Sequence, residues 1–323
     1  MTVRLPRALV ALLVAGATAC AGSVPRGAAL APGQTTLPTS SPPASTTASA
    51  AVCGGASAPP PPVYEHVVWI FMENHTYGQV IGSAEAPFET ALAHRCGTAT
   101  HYTGVGSPSL PNYIGATSGD TQGIHDDAGP ASHPLTVDNL FRQVRASGRR
   151  AASYQEAMPG TCALNPKGDY AVKHNPAAYY TGGDDRAACS AGEDVALGTP
   201  AGGALADAID HDSLPAFSFI TPNLCNDTHD CGVATGDQWL ERWVSKLVGS
   251  AAYRSGSTAI FVAWDEYTPM PSIVISPSVR AGTVMVAPAD HYSLLRTTEE
   301  LLGIPTFLGR AAQAPSMRGP YGI

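Results

Sequence analysis

Residues 67–78 read VVWIFMENHTYG: an unbroken apolar run from Val67 to Met72, then Glu73, Asn74 and His75. Continuous β-branched and aromatic residues without polar alternation indicate a strand buried on both faces. Such a strand belongs inside a sheet that helices cover. The stretch TAIFVAWDEY, Thr258 to Tyr267, repeats the pattern and delivers Asp265 and Glu266 at its end. His66–Phe71 and Thr258–Trp264 are joined as strand candidates by Arg150–Gln155, Ala216–Pro222 and Pro271–Pro277. Helical patterns lie between them, near Pro87 and Pro111 and from Val137, Gly203, Gly236 and Tyr292. This alternation predicts an α/β fold, a mostly parallel central sheet flanked by helices. Ligands of such sheets bind at the carboxyl ends of the strands. Both acidic pairs end where a site is expected.

At 323 residues the chain has room for one α/β domain of roughly 250 residues and more. Arg4 and Arg7 flank the start of an apolar run, Ala8–Ala19, too short to span a bilayer but suited to an export signal. Residues 1–20 are read as that signal. The sequence GATAC ending at Cys20 resembles a bacterial lipobox, with Ala17 where Leu is usual. It predicts an acyl anchor at Cys20 and a place on the outer face of the cell membrane. Cleavage near Ala19 without acylation, giving a secreted protein, is the alternative. Residues 21–62 are rich in Ala, Ser, Thr and Pro and read as a tether, which leaves 63–323 as the folded domain.

Seven cysteines fit an exported chain: with Cys20 acylated, Cys53, Cys96, Cys162, Cys189, Cys225 and Cys231 remain for disulfides. Sequence proximity pairs Cys53 with Cys96, Cys162 with Cys189, and Cys225 with Cys231, though six cysteines leave other connectivities open. No C-x-x-C pair supports a thiolate metal site. A net charge of −8 and no basic stripe argue against a nucleic acid partner.

If the strands ending at Met72 and Trp264 are neighbours, Glu73, Asn74, Asp265 and Glu266 form one oxygen-rich cluster. Gathered carboxylates repel one another unless a cation sits between them. Taken singly, each is equally explained by solvation or by capping of the next turn. Between the pairs lies GVGSPSLPNYIGATSGDTQGIHDD, Gly104 to Asp127. Ser109 stands at a helix start, where free backbone N–H groups favour an anion. A hydroxyl there can attack phosphorus, and an N-cap role is compatible with that. Ser107 is a rival by spacing, and Asn112 is either a donor to a phosphoryl oxygen or a local hydrogen-bonding residue. His229 and Asp230 share a loop that a Cys225–Cys231 bridge would stiffen. His291 precedes an amphipathic helix that it or Asp290 could cap, and His125 is a weaker candidate.

Taken together, ENHTYGQVIG, SPSLPNYIGATSG, SFITPNLCNDTHDCGVATGDQWL, VAWDEY and HYSLLRTTEELLG stand in the order shown by the bacterial phosphoesterase family of acid phosphatases and phospholipases C. The chain resembles that family, within the alkaline-phosphatase-like superfamily, from Val63 onward. The resemblance implies an alkaline-phosphatase-like fold and a divalent metal, and hard oxygen ligands favour Mg, Ca or Mn, with Zn an alternative. It implies metal ligation by Glu73, Asn74, Ser109, Asp265 and Glu266, with Ser109 as nucleophile in an S-L-P-N variant of T-x-P-N. Asn112 then matches the donor to the transferring phosphoryl group, and His229 and His291 match active-site histidines. Two departures favour the phosphatase branch: DEYTPMPSIVISPSV replaces the Gly-rich turn and DHV of many phospholipases C, and Tyr113 replaces the arginine often found after PN. The expectation is a metal-dependent phosphomonoesterase acting through a phosphoseryl intermediate on a phosphate-ester substrate. A phospholipase C-type phosphodiesterase is the alternative. A non-catalytic envelope binding protein would lack a nucleophile or a ligand, and every expected position is filled.

Overall fold

The computed structural model describes residues 52–55 and 59–323. The readings made for the export signal, for Cys20 and for most of the tether fall outside these residues. In chain order the strands are β1 His66–Met72, β2 Gly97–Ala99, β3 Tyr102–Thr103, β4 Ala151–Gln155, β5 Asp194–Ala196, β6 Phe217–Thr221, β7 Thr258–Trp264, β8 Ser272–Ile275, β9 Thr283–Met285 and β10 Ala289–Asp290. The helices are α1 Tyr77–Val80, α2 Pro87–Arg95, α3 Ser109–Ser118, α4 Leu140–Ala146, α5 Asp185–Ala188, α6 Ala204–Asp210, α7 Val233–Val248, α8 Ala251–Arg254, α9 His291–Leu301 and α10 Arg318–Tyr321. Eight strands form one sheet in the order β5, β4, β6, β1, β7, β8, β2, β9, and β3 pairs with β10. Within the large sheet only β8 runs antiparallel to its neighbours β7 and β2. The mostly parallel α/β sheet expected from the sequence is present. Its added strands β2, β5 and β9 are too short to carry a periodic signal.

β1 lies between β6 and β7, and its residues from Val67 to Met72 are buried on both faces. Its register with β7 pairs Met72 with Trp264, which sets Glu73 beside Asp265. Trp69 packs edge-on against Phe217 at 5.0 Å and donates from Nε1 to Thr298 Oγ1 at 2.9 Å, tying β1 to α9. Truncating so large a buried side chain, as in Trp69→Ala, costs about 3–5 kcal/mol. In α7 the buried residues Trp239, Leu240, Trp243, Val244 and Leu247 recur at spacings of three and four and form one apolar stripe. α9 begins where Asp290 accepts from the Ser293 amide at 2.9 Å, a capping box that fixes His291 as its first residue.

Three disulfides close the pairs anticipated by proximity: Cys53–Cys96, Cys162–Cys189 and Cys225–Cys231. The first anchors residue 53 to the residue before β2. Arg318 Nη2 donates to the carbonyls of Pro61 and Pro62 at 3.0 and 2.9 Å. The described end of the segment read as a tether is thus held on the domain. Among the described residues no helix is long and apolar enough to cross a membrane.

Candidate active site

Glu73 follows the last residue of β1 and is fully buried. Its amide donates to Asp227 O at 2.8 Å and its carbonyl accepts from Thr228 Oγ1 at 2.7 Å, so the loop after β6 grips the strand end. That loop approaches closely. A Cβ at Gly236 would stand 2.4 Å from Thr228 and 2.9 Å from Met72, which is why α7 carries glycine there. Asn74 has φ +58°, a left-handed conformation that asparagine tolerates better than most residues. The turn points its amide at Asp265 Oδ1, 3.1 Å away. The ends of β1 and β7 therefore converge, which meets the condition on which the oxygen-rich cluster depended. Glu266 is half exposed and makes no side-chain hydrogen bond among the described residues.

Ser109 is the first residue of α3, after the N-cap Pro108, and is 1% exposed. Its hydroxyl donates to Glu73 Oε2 at 3.1 Å. Ser107, the rival by spacing, is exposed. Asn112 lies one turn on, and its amide is fully engaged with the preceding loop. Its Oδ1 accepts from the amides of Val105 and Gly106 at 2.8 Å each, and its Nδ2 donates to Gly106 O at 3.0 Å and Pro108 O at 3.3 Å. The expected donor to a phosphoryl oxygen has its hydrogens on backbone carbonyls. In this geometry Asn112 shapes the loop that presents Ser109. Gly104 completes that loop, since a Cβ there would stand 3.0 Å from both Asn112 Oδ1 and Asp265 O.

The histidines separate by environment. His229 Nδ1 faces Asp230 Oδ1 at 2.6 Å, and the side chain is 28% exposed. A carboxylate only accepts, so Nδ1 carries hydrogen and Nε2 is turned to the site. His291 is fully buried, with Nε2 at 2.6 Å from Asp265 O and Nδ1 at 3.0 Å from Tyr102 OH. A carbonyl also only accepts, so Nε2 donates to it and Nδ1 accepts from the tyrosine. Burial pushes its imidazolium down to about 4. Both ring nitrogens are occupied, and His291 holds the end of β7 where the sequence reading had an active-site histidine. His125 is exposed.

Sequence reasoning passed over residues that complete the site. Tyr113, noted only as a substitute for arginine, donates to Glu73 Oε1 at 2.5 Å. His174 is buried, stacks on Tyr113 with centroids 5.2 Å apart, and sets Nε2 3.2 Å from Glu73 Oε1 and Nδ1 3.2 Å from Asp227 Oδ2. Lys173 beside it reaches Asp127 Oδ2 at 3.0 Å. VKHNP carries no motif that would have flagged these two residues.

The model of the phosphoesterase family matches residues 83–269, more than half of the chain, from before the Ser109 helix to just past the Asp265–Glu266 pair. The chain belongs to the phosphoesterase family. It is similar to a phosphatidylinositol-3-phosphatase of Mycobacterium tuberculosis, 28% identical over 80% of this chain and 83% of that one. It is also similar to a phosphate-repressible acid phosphatase of Penicillium chrysogenum, 29% identical over 65% of this chain, of which it spans 53%. The fold is that of a protein in the alkaline phosphatase superfamily from Vibrio parahaemolyticus, with a TM-score of 0.51, 13% identity and coverage of 81% and 74%. It is shared with a lipoteichoic acid synthase from Listeria monocytogenes, with a TM-score of 0.53, 8% identity and coverage of 76% and 74%. This phosphoesterase is accordingly a hydrolase of phosphoric esters.

The electrostatics of the phosphoesterase site are those of carboxylates confined together. Burial, then the charges of Asp265 and Asp227, hold the Glu73 carboxyl well above its ordinary range. Burial pushes Asp265 up to about 7, with Glu266 adding to it, and pushes Asp227 up to about 7 as well. Burial, reinforced by Lys173 and His229, holds His174 well below the ordinary histidine range. In this cluster Asn74 Oδ1 and Asp265 Oδ2 are buried without a hydrogen-bond partner, and His174 Nε2 and Asp227 Oδ2, although 3.2 Å from Glu73 Oε1 and His174 Nδ1, make no well-directed hydrogen bond. Glu73, His174 and His229 each bring a donor atom within 4.8 Å of the others. Orphaned oxygens and an imidazole nitrogen around raised carboxyls fit a divalent cation. The other thiol and carboxylate group, Cys162, Cys189 and Asp194, has its sulfurs joined in a disulfide.

Proposed function

We propose that this phosphoesterase is an exported, metal-dependent phosphomonoesterase that uses Ser109 as nucleophile. The observation that carries the reading is the Ser109 hydroxyl donating to Glu73 at the N-terminus of α3, inside a cluster of orphaned buried acceptors. Glu73, Asn74, Asp265 and Ser109 would hold the cation, with Glu266 at the rim and His174 and Asp227 on the opposite side of Glu73. When bound, a divalent cation neutralises the gathered carboxylates and stabilises charge on phosphoryl oxygens.

The residues supply the rest. Ser109 Oγ attacks phosphorus in line with the leaving oxygen, and its proton passes to Glu73 Oε2, where it already points. As the ester P–O bond breaks, the leaving oxygen takes a proton from Nε2 of His229 in its doubly protonated form, while Asp230 holds the hydrogen on Nδ1. The phosphoseryl group then meets water, which gives a proton to His229 and bonds to phosphorus as the Oγ–P bond breaks; Glu73 returns its proton to Ser109 Oγ, and phosphate is released. Tyr113 and Asn112 keep Glu73 and the Ser109 loop in register through the two displacements.

The relatives named as phosphatases support a monoester substrate, and the three disulfides support folding in an oxidising compartment. Anchoring at Cys20 belongs to the same reading, and loss of fatty-acid labelling in Cys20→Ala would test it. The central experiment is hydrolysis of an aryl phosphomonoester by the full chain with disulfides formed, with and without a chelator, beside Ser109→Ala. Chelator-sensitive turnover that Ser109→Ala lowers by about 10⁴-fold or more is expected. Turnover that survives either treatment would refute the nucleophile or the metal. Hydrolysis of a phosphatidyl headgroup with none of the aryl monoester would favour the phospholipase C alternative.

A further inference from the structure

We propose that Lys173 is the cation that recognises the second negative charge of a phosphomonoester and so sets the preference for monoesters over diesters; this rests on the phosphatase reading above. Lys173 lies in the 3₁₀ turn Val172–His174, immediately before the buried ring of His174. That ring is fixed by its stack on Tyr113 and its contacts with Glu73 and Asp227, so the next side chain has a defined direction. Lys173 Nζ stands 3.0 Å from Asp127 Oδ2 and 3.4 Å from His229 Nε2. Asp127 Oδ1 accepts the amide of Leu110, the residue after Ser109, at 3.0 Å. One carboxylate thus joins the ammonium to the backbone beside the nucleophile. The lysine side chain is 20% exposed, and its charge is felt at both Glu73 and Asp265.

A phosphomonoester near neutral pH carries close to two negative charges, and a diester carries one. The site is already rich in carboxylates, so a dianion needs positive charge directed at its free oxygens. Neither neighbouring neutral donor supplies it: the Tyr113 hydrogen lies on Glu73 and the Asn112 hydrogens lie on Gly106 and Pro108. An ammonium has three N–H bonds. One of those on Lys173 serves Asp127 and one faces His229, which leaves a third for a phosphoryl oxygen. A diester places an alkyl or acyl-linked oxygen there and forfeits the charge pairing.

The test compares the full-length protein with Lys173→Met and Lys173→Arg on an aryl phosphomonoester and on the methyl phosphodiester of the same phenol. Binding of inorganic phosphate is measured by calorimetry on the same proteins. For Lys173→Met the monoester kcat/KM is expected to fall roughly 30-fold, mainly through KM, while the diester value changes by less than about threefold. Phosphate affinity falls by a similar factor, and Lys173→Arg recovers most of both. Retained diester turnover or an unchanged melting temperature shows that the methionine variant is folded. Equal losses on the two esters, or phosphate affinity unchanged in Lys173→Met, would overturn the proposal. A wild-type protein that hydrolyses neither ester defeats the phosphatase reading instead, and the phosphate titration still decides the role of Lys173.

Discussion

Tyr113 and Asn112 hold Glu73 and the loop before Ser109, the proposed nucleophile, and have no hydrogen left to offer a substrate. Burial, then the charge of Glu73, holds the Tyr113 hydroxyl well above the ordinary tyrosine range, so it stays protonated and donates to Glu73. Tyr113→Phe removes that bond, and kcat is expected to fall about tenfold with KM little changed. Asn112→Ala loosens four hydrogen bonds of the Ser109 loop and is expected to lower kcat by a similar or larger factor. Steady-state kinetics on one aryl monoester checks both, and a variant whose loss lies in KM alone would contradict the assignment. The carboxyls predict a pH effect of definite sign. Asp265, pushed up to about 7 chiefly by burial, must shed its proton to hold the proposed cation, so metal affinity weakens as pH falls below about 7. Calorimetric titration in buffers of different ionisation enthalpy would show proton release, and its absence at pH 6 would count against this ligand. Glu73 and Ser109 were legible because each punctuates a pattern: one ends an apolar run, the other opens S-L-P-N. His174 and Lys173 punctuate nothing, and the turn that brings them to Glu73 is a tertiary arrangement.

At the scale of elements, α9 fixes both the core and the site. His291 at its start holds the backbone of Asp265, and Thr298 takes the Trp69 indole. Glu299 on the same helix is buried, with Oε1 accepting from Leu308 N at 2.8 Å and Oε2 unpartnered. Burial pushes its carboxyl up to about 8 from an ordinary 4.5, against the help of that hydrogen bond and of Gln143. The folded protein therefore keeps a proton that the unfolded chain releases. Its stability is full below about pH 4.5 and declines as pH rises towards 8. Glu299→Gln keeps an acceptor for Leu308 and needs no proton, so its melting temperature should exceed wild type by about 2–4 °C at pH 8 and match it near pH 5. A lower melting temperature at pH 8 would show that the charged form is the one accommodated. The helices were legible from their apolar spacing, as in α7, whereas the three-residue strands became visible only through their pairing partners.

For the molecule as a whole, the disulfides constrain segments that the sheet does not reach. Cys53–Cys96 spans a sequence separation of 43 and joins the Ala/Ser/Thr/Pro-rich segment to the residue before β2. Loop-closure entropy assigns a bridge of that span about 4 kcal/mol. The Cys53→Ala, Cys96→Ala double variant is expected to lose roughly that much in urea unfolding while retaining turnover at low temperature, because the bridge lies away from Glu73. Unchanged stability would mean that the Arg318 contacts to Pro61 and Pro62 suffice to hold the segment.

The sequence by itself determined the alternation of buried strands and amphipathic helices, because burial on both faces demands unbroken apolar runs and burial on one face demands a period near 3.6 residues. It also showed which strands end in acidic residues, and short separations along the chain anticipated the cysteine pairs that the structure closes. Only the tertiary structure decided that β1 and β7 are neighbours in a register that sets Glu73 against Asp265, since parallel strands pair across long crossovers whose order no local pattern encodes. It alone turned the side chain of Asn112 onto its own loop, occupied both nitrogens of His291, and brought His174 to Glu73 and Lys173 to Asp127 and His229. A residue type states what chemistry is available, and the partners that bind its hydrogens and lone pairs decide which part of that chemistry remains free.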